Sequence, residues 1–299
     1  MKSKEMRGNL LLLITAIIWG SAFVAQSEGM KYIGPFTFQA VRSVLGALVL
    51  IPFIVKGNLA KKKEGLPYRK NAKMLWLGGL VCGGLLALSG GLQQLGIQYT
   101  TVGKAGFITA LYILFVPLLG IFMKKKVAAK AWIAIGIAVA GLYLLCMQDG
   151  FSLSVGDTYV ALCAAGFSFH ILAVDYFAAR VDGLKLSCLQ FLFCAVFSAV
   201  PMVMGEQVEI SGIMQAWLPL VYGGVLSSGV GYTLQVLGQK YTKPAIASLL
   251  MSLESVFAVL AGIILLKQIP SVREAAGCIL MFGAIILAQL PDKKSQEKE

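Results

Sequence analysis

Charge is what this sequence has least of. Only 13% of its 299 residues are Asp, Glu, Lys or Arg, about half of the roughly 25% found in soluble domains. A soluble chain of this length needs a charged skin, and too little charge is present to build one. Histidine occurs once, at His170, and the acids are scattered, so no cluster for hydrolysis or metal binding is in view. The six cysteines, Cys82, Cys146, Cys163, Cys188, Cys194 and Cys278, all lie in apolar runs and make no CxxC pair. That spacing excludes a zinc site and a disulfide framework, and they read as small apolar fillers. There is no Walker motif, no HExxH and no GxSxG, which excludes ATP hydrolysis and the common hydrolases within this chain. No enzyme activity, cofactor or metal is therefore expected.

What is present is apolar. Hydrophobic residues make up 58% of the chain and mean hydropathy is +0.80. The N-terminus, with Lys2, Lys4 and Arg7 before an apolar run, imitates a signal peptide. The run from Asn9 to Gln26 is longer than a signal core and nine similar runs come after it, so it reads as an uncleaved first span. A helix needs about 20 apolar residues to cross a bilayer. Ten spans are expected near 8–27, 34–55, 74–97, 103–123, 129–147, 156–178, 186–204, 213–238, 244–266 and 273–290. The fold class is thus all-α integral membrane, with both termini on one side. With the termini inside, 21 basic residues fall on inner segments and only Lys31, Lys104, Lys267 and Arg273 on outer ones. The positive-inside rule then makes both ends cytoplasmic, in the cell membrane. The net charge of +12 belongs to these connections and forms no basic groove with interleaved aromatics, so nucleic acid is not an expected partner.

The chain also repeats itself. A shift of 141 pairs Trp76 with Trp217, Gly83 with Gly224, Gln94 with Gln235 and Gln98 with Gln239. One residue further, Tyr99-Thr100 meets Tyr241-Thr242, Leu111 meets Leu253, Phe115 meets Phe257 and Gly141 meets Gly283. One register held over about 65 residues predicts a duplication, residues 1–148 carrying spans 1–5 and residues 149–299 carrying spans 6–10 with a short basic tail. An odd number of spans inverts the second half relative to the first. Inverted repeats characterise secondary transporters, with the site at the repeat interface near the midplane.

The residues that carry a resemblance are Ile18-Trp19-Gly20-Ser21 with Phe23 in span 1, Gly91 to Thr101 across spans 3 and 4, Phe115-Val116-Pro117-Leu118, and Ala247-Ser248-Leu249-Leu250 with Leu253 to Ala258 in span 9. In this order the chain resembles, over essentially its whole length, the EamA-type members of the drug/metabolite transporter superfamily. That resemblance implies ten spans around a central cavity, spans 5 and 10 at the periphery, and export or exchange of small metabolites such as amino acids. Two departures stand out. Where the family often has Glu-Pro in span 9, this chain has Glu254-Ser255, so the bend a proline would give is no longer implied. Where the family has Gly-Glu after span 9, this chain has Lys267-Gln268, which reverses a charge.

Polar groups inside spans default to function, because a charge at the bilayer centre costs about 2.5–3.5 kcal/mol or more. Glu254 is the deepest. It fits a cavity group for an amine or proton, and equally a hydrogen-bond anchor between helices. His170, mid-span 6, has an ordinary pKa of about 6.5 that suits proton carriage, and it also fits a neutral histidine bonded to a neighbouring helix. Asp175 is expected at the interface. Arg42, in span 2, is read as structural, snorkelling or paired with a carboxylate. Gln94 and Gln98 share a helix face with Gly90, as Gln235 and Gln239 do with Gly231. The two amide pairs are expected to face each other across the repeat axis, as solute ligands or as interhelical bonds worth about 0.6 kcal/mol. Trp19, Tyr112 and Tyr232 suit stacking on a solute, or packing. The glycines are read as close-packing positions, with a bend at Gly90-Gly91 during alternating access as a further option.

The expected partners are a small-molecule substrate and the lipid bilayer, with a homodimer as an open option. Two other readings compete with transport: a scaffold or sensor subunit, and a lipid-modifying enzyme within the membrane. The second would need His, Asp or Glu clustered at one interface, and they are dispersed here.

Overall fold

The computed structural model describes residues 2–63, 71–100, 102–124, 127–146, 154–266 and 271–290. Arg69, Lys70, Lys125, Lys126, Lys267, Gln268, Lys293, Lys294 and Lys298, which entered the charge pattern and the departures above, lie outside them. The described residues are helical with no strand. In chain order they form α1 (Lys2–Gly29), α2 (Pro35–Lys63), α3 (Ala72–Ile97), α4 (Val102–Ala110), α5 (Tyr112–Phe122), α6 (Ala129–Cys146), α7 (Val155–Ala178) and α8 (Gly183–Gly205). They continue with α9 (Ile210–Gln215), α10 (Trp217–Val221), a π-helical segment (Tyr222–Tyr232), α11 (Thr233–Gln239), α12 (Pro244–Met251), α13 (Glu254–Leu266) and α14 (Val272–Gln289).

Several starts are written locally. Ser154 accepts from the Asp157 backbone N–H while the Asp157 carboxylate accepts from Ser154 N–H, a capping box that opens α7. Ser271 and Glu274 do the same for α14, Asp182 caps α8 and Pro244 occupies the first turn of α12. Each such cap is worth about 1 kcal/mol. The start of α2 is capped from far away in sequence. Glu206, just past α8, accepts from the backbone N–H groups of Phe36 and Thr37 at 2.7 and 2.8 Å and from the Thr37 hydroxyl at 2.6 Å.

Seven helices are long and apolar enough to cross a membrane by length and composition. The other expected spans fall on α6, on α12 with α13, and on α14. Large apolar side chains lie exposed along the outer faces, among them Leu48, Ile133, Val196, Val200 and Ile279. A surface so apolar fits hydrocarbon rather than water. The chain is therefore a multi-pass membrane protein. Inside, α3 packs between α7 and α8, α2 lies on α8 and the π segment, α1 touches the π segment, α11 and α13, and α6 pairs with α14.

Besides span 8, with its turn at Ala216 and its π segment, two expected spans are interrupted. Span 4 breaks at Leu111, where i→i+3 bonds replace the α pattern. Span 9 breaks at Ser252-Leu253 although it lacks the proline. The bend there corrects the expectation drawn from Glu254-Ser255. Its cause is serine chemistry: the Ser252 hydroxyl donates to Leu249 O at 2.8 Å and Ser248 to Ala245 O at 3.0 Å, and hydroxyls that bond back to preceding carbonyls compete with the helix ladder. By contrast α3 runs through Gly90-Gly91 without interruption.

Candidate functional site

Where the broken helices meet α1, α2, α3, α7 and the π segment lies a small chamber of mixed polar and apolar lining. It has a volume of about 40 Å³, room for about three or four waters at roughly 10–15 Å³ of this measure each. Its wall includes Trp19, Arg42, Gln93, Tyr112, Tyr232, Gln235 and Glu254. About one helical turn further toward the chain termini lies a vestibule of about 1090 Å³. Val116, Leu172 and Gln239 line the vestibule, where Tyr112, Ile171 and Gln235 of the same helices line the chamber. The two linings thus lie one turn apart along α5 and α11 and on consecutive residues of α7.

Each chamber group is held by identifiable contacts. Gly20 of α1 lets that helix lie directly on the break in span 9, since a Cβ there would sit 2.7 Å from Glu254 O and 2.8 Å from Ala258 N. This brings the Glu254 carboxyl beside α1. Its Oε1 accepts from the Tyr112 hydroxyl at 3.3 Å. The Trp19 indole donates to Ser227 O at 3.2 Å, and its ring lies 4.5 Å from that of Tyr232 at 53°. Thr15 donates to Gly231 O at 3.2 Å. Thus α1 bonds twice to the carbonyls of the π segment. Segments with i→i+5 bonding are rare and recur at functional sites.

Two chamber residues are charged types in deep burial. Arg42 is 3% exposed and Glu254 4%. Arg42 donates through Nε to Gln39 Oε1 at 2.7 Å. Neither has an ion-pair partner among the described residues, which corrects the expectation that Arg42 pairs with a carboxylate or snorkels. A buried charge without a partner is costly and is otherwise retained for what it binds.

The chamber thus collects Trp19, Tyr112, Tyr232, Gln235 and Glu254 from the expected residues and leaves out four. Gln98 is exposed at the end of α3. Gln94 is fully buried away from the chamber, and neither amide atom has a hydrogen-bond partner among the described residues. Gln239 lines the vestibule and donates to Ile171 O at 3.1 Å. His170 is fully buried, with Nε2 3.1 Å from Gln190 Oε1 on α8. The amide pairs consequently make no bond to each other. Gln235 reaches the chamber while Gln94 does not because span 8, alone among the described residues, carries a π segment, whose wider turns rotate the residues beyond it onto another face. On α3 the neighbouring Gln93 faces the chamber instead and donates to Thr109 at 3.2 Å. No sequence signal separated Gln93 from Gln94. Arg42 did carry one, as the only charge within span 2. Asp175 is half-buried on the vestibule wall.

The EamA-like transporter family matches the sequence over residues 6–147 and 154–290. An uncharacterized transporter of Archaeoglobus fulgidus is 27% identical over 289 residues, covering 96% of this chain and 87% of the relative. An uncharacterized transporter of Clostridium kluyveri is 22% identical over 307 residues, covering 97% and 96%. A chloroplastic WAT1-related protein of Arabidopsis thaliana is 24% identical over 298 residues, covering 94% and 69%. A solved crystal structure shares the fold with a TM-score of 0.77 at 21% identity, covering 98% of each chain.

Proposed function

The chain belongs to the EamA-like transporter family, and from that premise we propose a secondary transporter that exports or exchanges small organic metabolites, such as amino acids or related compounds, by alternating access. The observation that carries this reading is the chamber itself, a space near a wide vestibule that holds Arg42 and Glu254, neither ion-paired among the described residues. Pockets for small solutes measure about 300–1000 Å³. The vestibule is of that order and the chamber far below it. A solute therefore enters the chamber only when the helices part, as alternating access requires.

The proposed architecture is ten spans in two inverted halves, residues 1–148 and 149–299, with both termini cytoplasmic in the cell membrane. Its support is the pairing of the contacts. Spans 3 and 6 pack as spans 8 and 1 do, spans 4 and 6 as spans 9 and 1, and spans 3 and 7 as spans 8 and 2. Spans 5 and 10, which are α6 and α14, pack on each other. Both broken helices restart at positions 142 residues apart, Tyr112 and Glu254. Discontinuous helices at a repeat interface are where secondary transporters bind solute and coupling ion. Trp19, Tyr112, Tyr232, Gln235 and Glu254 are the proposed solute contacts.

The test is flux. Purified protein in sealed vesicles is offered a broad labelled metabolite panel, with and without an imposed pH gradient. The reading expects at least one small organic solute to move, and Glu254→Gln to change its rate about tenfold. If no solute moves in vesicles of verified folding, the reading fails.

A further inference from the structure

Granted the transporter reading, the geometry points to Arg42 as the anchor for an anionic group of the solute, held in position by Gln39 and opposed by an ammonium site at Glu254. Arg42 borders the chamber from α2, 97% removed from solvent, with no carboxylate bonded to it among the described residues. Its Nε is spent on Gln39 Oε1 at 2.7 Å. That bond leaves the forked pair of terminal nitrogens, the face that binds a carboxylate bidentately. Gln39 is itself clamped. Its Nε2 lies 3.2 Å from Cys194 Sγ, and Gly90 of α3 leaves the space its amide fills, since a Cβ at position 90 would overlap it. A guanidinium held this way is aimed before any solute arrives, which reduces the ordering cost of binding.

The rest of the chamber supplies the complementary chemistry. Besides the Glu254 carboxyl, the amide oxygens of Gln26 and Gln235 are buried there without a hydrogen-bond partner among the described residues. An ammonium carries three donors and no acceptor, and these three groups are acceptors. Trp19, Phe167 and Tyr232 provide the apolar wall. Arginine and glutamate within one chamber, unpaired with each other, suit a solute that brings both charges. The class is a zwitterion with a carboxylate and a primary ammonium.

The experiment uses the full chain in vesicles and three sets of probes: leucine, phenylalanine and histidine, each beside its decarboxylated amine and its deaminated acid. Uptake of the best amino acid is expected to exceed that of either partner compound at least tenfold in the wild type. Arg42→Gln should bring the amino acid to within threefold of the amine. Arg42→Lys, which keeps the charge but loses the fork, should fall between. Gln39→Leu should lower the amino-acid-to-amine ratio, a readout that a merely structural role would leave unchanged while shifting the Tm. If Arg42→Gln does not fold, the wild-type comparison and the two milder variants still decide. Equal uptake of amine and amino acid by the wild type overturns the assignment, as does an unchanged ratio in Arg42→Gln. So does transport confined to solutes that are not zwitterions, which leaves the transporter reading standing. Absence of any flux from the broad panel removes the transporter reading instead.

Discussion

The Tyr112 hydroxyl donates to the Glu254 carboxyl at 3.3 Å, and each residue begins the second half of a broken helix. The bond joins the two breaks across the chamber, so the least regular backbone of each span meets at one polar contact. Removing the hydroxyl with Tyr112→Phe should cost little stability, about 0.6 kcal/mol for such an interhelical bond. Its effect on solute affinity should be smaller than that of Glu254→Gln, because the carboxyl stays in the chamber. Thermal melts and competition uptake on the two variants check this order.

Trp19 should matter in two separable ways. Trp19→Phe keeps a ring against Tyr232 but loses the donor to Ser227 O. A drop of about 1 kcal/mol in stability is expected, with affinity changed less than tenfold. Trp19→Ala also removes the ring from the chamber wall and should lower affinity more than tenfold. Competition uptake separates the two.

His170 bonds Gln190 and lies behind the chamber wall, meeting Tyr232 and Phe167 edge-on without itself lining the space. His170→Gln should therefore lower the Tm without moving the pH profile of flux. A shifted profile would bring His170 back into the transport step.

Asp182 lies in the turn between α7 and α8, outside the spans. Burial pushes its carboxyl up, but the Lys61 ammonium at 2.8 Å and the Lys185 backbone N–H outweigh that and hold it below the ordinary 3.8. A carboxyl lowered by folding adds stability above its unfolded value, and that stability is lost as pH falls through the folded value. The Tm advantage of wild type over Asp182→Asn should be constant at neutral pH and shrink below about pH 4, worth about 1 kcal/mol at most for so accessible a pair. An advantage that grows on acidification would contradict the sign.

Glu206 holds the start of α2 through three hydrogen bonds. Glu206→Ala leaves two backbone N–H groups and a hydroxyl unpaired and should cost about 1–2 kcal/mol, the upper range for a cap. Glu206→Gln keeps acceptors and should cost less. Chemical or thermal unfolding in detergent checks both.

Much of the fold was legible in the sequence, for a physical reason. Hydrocarbon demands continuous apolar runs, and these located the helices, although α1 begins at Lys2 and α2 runs on to Lys63, beyond the expected 8–27 and 34–55. The interruptions were not legible. Leu111 is an ordinary helix former, and Ser252-Leu253 contains neither glycine nor proline. The π segment has the composition of any glycine-rich span, yet it decides that Gln235 faces the chamber. Helix rotation is set by packing, so Gln93 and Gln94 could not be told apart from spacing. Glu254 was legible because burying a carboxyl in a span is costly enough to need a reason. Arg42 stood out equally, and only the absence of a partner carboxylate among the described residues changed its reading.

Counterflow in vesicles tests the central claim most directly. Vesicles preloaded with an unlabelled amino acid found to move are diluted into a trace of the labelled compound, and the transient overshoot is measured for wild type, Arg42→Gln, Glu254→Gln and Gln98→Ala. The chamber reading predicts an overshoot that falls at least tenfold in the two chamber variants and stays within twofold of wild type for the exposed Gln98. Chamber variants that exchange at the wild-type rate while correctly folded would contradict it.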